Sequence, residues 1–302
     1  MQNIETAILR TLLYADIFRF AMTAAELHRY LICSKPIAVE AIEETLRESP
    51  RLQTLLIQEK GYITLTNRYE NITRRIEGEQ YIQPMWDDAM RYGHWLAQIP
   101  FVRMVALTGA LAVRNPVDVH DDYDYLLVTQ PRRVWLARGL AIVLVRLVRL
   151  FKRELCPNYV LASDQLEQER RDLFMAREVV QMFPIYGDDI YQAMMTANNW
   201  VGVYQPNATP YPTEKSESQP IKMILEKLFG GWLGDKLEQW EYSRKRRKFA
   251  PEVHQPESSA VIDSGHVKGH FNDNGHPVMQ KYQARLREYG LLEDETIELA
   301  GD

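Results

Sequence analysis

Two aspartates one residue apart, Asp122 and Asp124, bracket the start of an apolar run from Tyr123 to Val128, and they are the side chains best placed to do chemistry. An extended backbone sends alternate side chains to opposite faces, so both carboxylates point one way and Tyr123 the other. Carboxylates that close repel each other unless a cation lies between them. A hard divalent ion that prefers oxygen and keeps phosphate and water ligands suits the pair, which makes Mg2+ the expected cofactor. Upstream, Thr108-Gly109-Ala110 follows a second apolar run, Val102 to Leu107. A glycine there lets the backbone approach a ligand at the opening of a short helix, whose N–H groups attract phosphate. The plainer reading of the same acids is a solvated turn of Asp118, Asp121 and Asp122 before a strand that Asp124 starts.

The elements that must position these residues follow from apolar patterning. Val102 to Leu107 and Tyr123 to Val128 read as buried strands, joined through a short helical segment that ends near Arg114-Asn115-Pro116. Val134 to Phe151 reads as a long, largely buried helix, Asn158 to Leu161 as a third strand, and Asp172 to Met182 as another helix. Alternating strands and helices imply an α/β (α+β) domain with helices packed on a mixed sheet.

A strand, a glycine followed by a small residue, a short helix, and then an aspartate pair on the next strand resemble the nucleotidyltransferase signature of the polymerase-β superfamily. The resemblance spans about Phe101 to Leu161. It implies that Asp122 and Asp124 are catalytic metal ligands and that Thr108, Gly109 and Ala110 bind the nucleotide. It also implies that an acceptor hydroxyl attacks the α-phosphorus of a nucleoside triphosphate. Two positions depart from the pattern. Ala110 stands where a serine or second glycine is usual, and Asn158 stands where a later strand carries a third carboxylate. An amide can hold a metal-bound water but takes no proton. Glu178 and Asp164 are the candidate substitutes. Two functions follow: transfer of a nucleoside monophosphate to a hydroxyl of an unknown acceptor, or a catalytically inactive fold serving as a protein- or nucleic-acid-binding scaffold.

Ahead of this region, apolar positions predict helices from Ile4 to about Phe20, from Thr23 through Leu31, and from Ile37 to about Glu48, the last ended by Ser49-Pro50. Thr23 and Glu26 have the spacing of a capping box. Extended runs at Leu52 to Gln58 and Tyr62 to Thr66 are joined by Glu59-Lys60-Gly61, a hairpin signal. Three helices and a hairpin form a winged-helix-like order over residues 1–75, by analogy of fold alone. The third helix carries Glu40, Glu43 and Glu44, which repel phosphate, so a protein-contact or substrate-orienting role is favoured over DNA reading. Residues 76–204 make the nucleotidyltransferase-like domain with its leading helix, Asn71 to Gln98.

Phe183 to Asp189 reads as a turn beside the nucleotide pocket or simply a turn, and Ala197-Asn198-Asn199-Trp200 as a base or acceptor contact or a packed helix end. Residues 205–220 read as a linker or mobile loop, and 221–302 as a helical C-terminal region. There, a helix from Ile221 to about Phe249, breakable at Gly230-Gly231, ends in Arg244-Lys245-Arg246-Arg247-Lys248. That cluster suits RNA, DNA or anionic lipid, or simply the helix dipole. His254, His266, His270 and His276 lack a tight metal spacing. A last helix runs from Pro277 to about Tyr289.

Composition sets the frame. The chain has 302 residues, 46% hydrophobic and 25% charged, with a net charge of -5, which gives no general electrostatic case for nucleic acid. Cys33 and Cys156 form neither a disulfide framework nor a metal spacing. Glu5 breaks any secretory leader, and the arginines of Val134 to Phe151 argue against a transmembrane span, so a cytoplasmic location is expected.

Overall fold

The computed structural model of the chain describes residues 3–150, 153–213, 220–253, 263–268 and 275–292. Asn3 caps α1 (Ile4–Asp16) by accepting from the Glu5 amide. The helix expected to about Phe20 ends at Asp16, and residues Ala7 to Asp16 are all buried, which makes α1 a central helix. In α2 (Ala24–Arg29) both halves of the capping box form: Thr23 Oγ1 accepts from the Glu26 amide and the Glu26 carboxylate accepts from the Thr23 amide. α3 (Val39–Glu48) ends at Ser49, which then caps α4 (Pro50–Leu55) by accepting from the Leu52 amide. The predicted strand from Leu52 is therefore helical to Leu55. Proline at the first helical position explains why: its missing N–H would be unpaired there in any case. The hairpin is β1 (Leu56–Glu59) with β2 (Tyr62–Leu65), closed by Lys60 at φ 50° and Gly61 at φ 83°, the signs of a type I′ turn.

α5 (Tyr69–Ala97) runs through Pro84 without a break and leads to the main sheet. Its strands are β3 (Val102–Leu107), β4 (Tyr123–Thr129), β5 (Leu155–Ala162), β6 (Phe183–Tyr186) and β7 (His266–Lys268), in the order β6-β3-β4-β5-β7. β4 and β5 are parallel and the other pairs antiparallel, which makes the sheet mixed. Between β3 and β4 lies the single turn α6 (Gly109–Ala112), and α7 (Val134–Arg149) crosses over to β5. α8 (Leu173–Gln181) and α9 (Asp188–Ala197) flank β6. Phe183 to Tyr186, read as a turn, is thus an edge strand, a position that tolerates Pro184. His266, for which no strand is expected from the sequence, sits in β7.

Strict alternation sorts the sheet's two faces. Val105, Leu107, Tyr125 and Leu127 pack against α5 and α7. Met104, Ala106, Leu126 and Val128 join the α8 and α9 side chains in a core that continues into the N-terminal helices. α12 (Gly275–Glu288) closes this second core, with Tyr282 edge-on to Tyr14 at 5.3 Å.

α7 is half-buried rather than largely buried: Val134, Trp135, Ala141 and Val145 face inward, while Leu140, Val143, Leu147 and Leu150 are exposed. Of residues 205–220, the described part 205–213 is tied to the N-terminal helices by Asn207 and by the bond from Arg29 to the Thr209 carbonyl, and 214–219 lie outside the described residues. α10 (Pro220–Phe229) and α11 (Trp232–Val253) are separated at Gly230-Gly231 as expected. α11 continues past Lys248, so the basic cluster is not at its end and the helix-dipole explanation falls. Among the described residues, no helix is long and apolar enough to cross a membrane.

Candidate functional site

Asp124 projects from β4 on the face shared with Leu126 and Val128, toward α8. Asp122 precedes it by two residues and shares that direction. Asp122, Asp124 and Cys156 offer ligand atoms within 4.8 Å of one another, the one such grouping among the described residues. His266 instead pairs with Asp263, and His254 and His270 lie outside the described residues. The other acids before β4 build the turn: Asp121 accepts from the Val117 amide and Asp118 from the His120 amide.

Gly109 is fixed by this corner. It has φ 67°, and any Cβ there would run into the Asp124 carboxylate. Left-handed backbone and contact with the Asp124 carboxylate both exclude a larger residue. Thr108 donates its amide to the Asp124 carbonyl at 2.9 Å, joining the loop to the strand, while its hydroxyl makes no cap. With four residues α6 has little macrodipole. What it offers is the first-turn amides of Gly109 and Ala110, which have no intrahelical acceptor.

Asn158, on β5, donates its side-chain amide to Asp124 Oδ1 and accepts from the Cys156 thiol at 2.6 Å. It therefore orients the carboxylate it was expected to neighbour. Burial pushes the Asp124 carboxyl up to about 8, the charges of Asp122, Glu178 and Asp121 push the same way, and the Asn158 bond opposes them. Burial followed by the same aspartates raises the Cys156 thiol to about 12, so it stays protonated. A protonated thiol is a poor partner for a hard cation. The donor set left is two carboxylates, one oriented by an amide, and it fits magnesium.

Glu178 and Asp164 separate clearly. Asp164 is exposed beyond β5 and lines a hollow with Asp235 and Glu238, away from Asp124. Glu178 lines a cavity of about 590 Å³ together with Gly109 and Ala110, and its charge reaches Asp124. Tyr14, Phe18 and Phe20 supply an aromatic wall from the N-terminal region. Neighbouring Arg177 is the residue that sequence reasoning missed. Its guanidinium is buried, lies 4.1 Å over the Tyr30 ring, and has Nε and Nη2 without hydrogen-bond partners. Burial lowers its pKa from the ordinary arginine value. The available signal was an Arg-Glu pair set inside the apolar run Leu173 to Val180.

Comparisons with family models, curated proteins and solved structures found no match. The geometry alone carries the functional reading. Two further sequence candidates drop out of it. Phe183 to Asp189 form β6 and the start of α9 rather than a turn at the aspartate pair, and Asn198 is fully buried, accepting from the Gln168 amide and donating to the Leu166 and Met194 carbonyls.

Proposed function

We propose that this chain is a magnesium-dependent nucleotidyltransferase of the polymerase-β type, which moves a nucleoside monophosphate from a triphosphate to a hydroxyl of an acceptor. In this reading the central sheet is the nucleotidyltransferase-like domain, residues 1–75 are a winged-helix-like module, and the setting is cytoplasmic. The carrying observation is that Asp122 and Asp124 converge against the Gly109 turn, with Glu178 near enough for its charge to act on Asp124 and lining, with Gly109 and Ala110, the adjoining cavity. Glu178 supplies a carboxylate from a helix where the strand position holds Asn158.

Asp122 and Asp124 hold the ion; when bound, magnesium supplies charge neutralisation at the phosphate oxygens and makes the acceptor hydroxyl easier to ionise. The Gly109 and Ala110 amides face the phosphates, and Arg177 offers an anionic group in the cavity a buried cation whose Nε and Nη2 have no hydrogen-bond acceptor. The acceptor oxygen bonds to the α-phosphorus, the bond to pyrophosphate breaks, and Glu178 takes the hydroxyl proton. Exposed Glu40, Glu43 and Glu44 on α3 speak against nucleic acid as the acceptor. A catalytically inactive scaffold is the second reading, favoured by Asn158 in the acid's place.

Incubation with each labelled nucleoside triphosphate and magnesium, with product analysis, tests the proposal. The expected result is magnesium-dependent triphosphate binding and pyrophosphate release, both lost in Asp122→Ala and in Asp124→Ala. Unchanged binding in the two variants refutes it.

A further inference from the structure

The two helices after residue 219 carry their polarity inside out. In α10, Lys222 and Glu226 are one turn apart and face the body of the protein. The Lys222 ammonium donates to the Ala97 carbonyl at 2.8 Å and the Val102 carbonyl at 2.5 Å, and Glu226 accepts from Arg103 and from the Phe101 amide. Ile221, Ile224 and Leu228, at helical spacing on the opposite side, point away from the protein, with Ile224 67% exposed. α11 repeats the pattern. Glu238 is buried, accepting from the Trp135 and Leu136 amides, while Trp232 and Trp240 are 69% and 61% exposed. A water-facing helix in a globular protein is built the other way round.

The charges on this face have one sign. Each acid of the two helices up to Lys248 is engaged toward the protein or along its own helix: Glu226 with Arg103, Asp235 with Arg133, Glu238 with amides, and Glu241 with Arg244. The cations are Lys227, Lys236 and the run Arg244 to Lys248. Two of them lie over the exposed indoles, Lys236 4.1 Å from the Trp232 ring centre and Arg244 5.4 Å from that of Trp240. Against a second copy of the chain, a two-fold contact would set this cationic face on itself. Exposed aliphatic residues, interfacial tryptophans and lysine-arginine excess together match an anionic bilayer.

We infer that α10 and α11 form a peripheral docking surface for anionic lipid, with Ile221, Ile224, Leu228, Trp232 and Trp240 entering the headgroup boundary and Arg244 to Lys248 drawing phosphate headgroups. The surface holds the chain on a membrane without spanning it.

Flotation of the full chain with phosphatidylglycerol-containing vesicles and with pure phosphatidylcholine vesicles, read with tryptophan fluorescence, tests this. Binding to the anionic vesicles alone is expected, weakened by high salt and accompanied by a blue shift that disappears in Trp232→Phe/Trp240→Phe. Arg246→Glu/Arg247→Glu should weaken binding about tenfold or more. Ile224→Glu/Leu228→Glu should abolish it while leaving the thermal melt unchanged, because both side chains are already in water. Equal binding to neutral vesicles, no vesicle binding, a blue shift that survives loss of both tryptophans, or a dimer dispersed by Ile224→Glu without any lipid binding would each overturn the inference. If the glutamate variant fails to fold, the arginine and tryptophan pairs carry the test.

Discussion

The cavity beside Gly109 and the outer face of α10 and α11 both invert the usual placement of polarity, and they do so by different means. Around the cavity, Arg177 is buried and the Glu178 and nearby Asp124 carboxylates are half-buried. On the outer face, isoleucine, leucine and tryptophan are presented to it. Each inversion is costly alone, and each is relieved by a ligand of matching chemistry. The difference lies in what fixes the residues. At the cavity the backbone does: Asp124 is held by its pairing with Cys156 in β5, Gly109 by its φ, and Glu178 by a capped helix. On the outer face the exposed residues touch little, and their direction is set by Lys222 and Glu226 behind them. Substitutions in the first region should therefore disturb chemistry and fold, whereas those in the second should leave the fold intact.

The sharpest way to divide the cavity's functions is Glu178→Gln. Removing the proton acceptor while keeping the shape should lower the transfer rate by about 10²- to 10⁴-fold. Magnesium-dependent triphosphate binding should persist, because Asp122 and Asp124 remain. Rate and binding measured on one preparation decide the matter: a variant that transfers at the wild-type rate removes Glu178 from the chemistry.

Gly109→Ala tests the claim that backbone fixes this corner. The left-handed φ and the collision with the Asp124 carboxylate should together cost about 2 to 4 kcal/mol in urea unfolding. Ile224→Glu should change stability by less than about 0.5 kcal/mol. Equal losses in the two variants would erase the contrast between the regions.

The sequence carried these features unevenly. β3 and β4 were legible because continuous apolar runs end at Gly109 and begin at the aspartates, and the capping box at Thr23 and Glu26 is a purely local device. β6 was not, since Phe183 to Tyr186 is short, contains proline and becomes a strand only by pairing with β3. β7 likewise owes its identity to the edge of β5. Asp122 and Asp124 could be read from spacing, but choosing Glu178 over Asp164 needed the packing of α8 against the sheet. The helix at α10 and its break at Gly230-Gly231 were visible, and the direction of its apolar side was not. Apolar stripes ordinarily turn inward, and here Lys222 and Glu226 turn inward because Ala97, Val102 and Arg103, more than a hundred residues earlier, satisfy them.

That anchoring makes the smallest prediction. Burial lowers the Lys222 ammonium to about 8 from an ordinary 10.5, with Glu226 opposing the shift and Arg103 adding to it. Because the folded chain gives up this proton before the unfolded chain does, the lysine costs stability below pH 8, and that cost falls as pH rises from 8 to 10.5. At about 1.4 kcal/mol per unit this interval sets a ceiling of about 3.5 kcal/mol, and partial solvation of the site reduces the change to the order of 2 kcal/mol. Lys222→Met has no proton to lose, so the wild type should gain that much relative to the variant between pH 7 and 10.5 in paired urea titrations, other titrating groups cancelling. A constant difference across that range would mean that the ammonium is hydrated, that α10 is not seated on the Ala97 and Val102 carbonyls, and that its apolar side has no fixed outward direction.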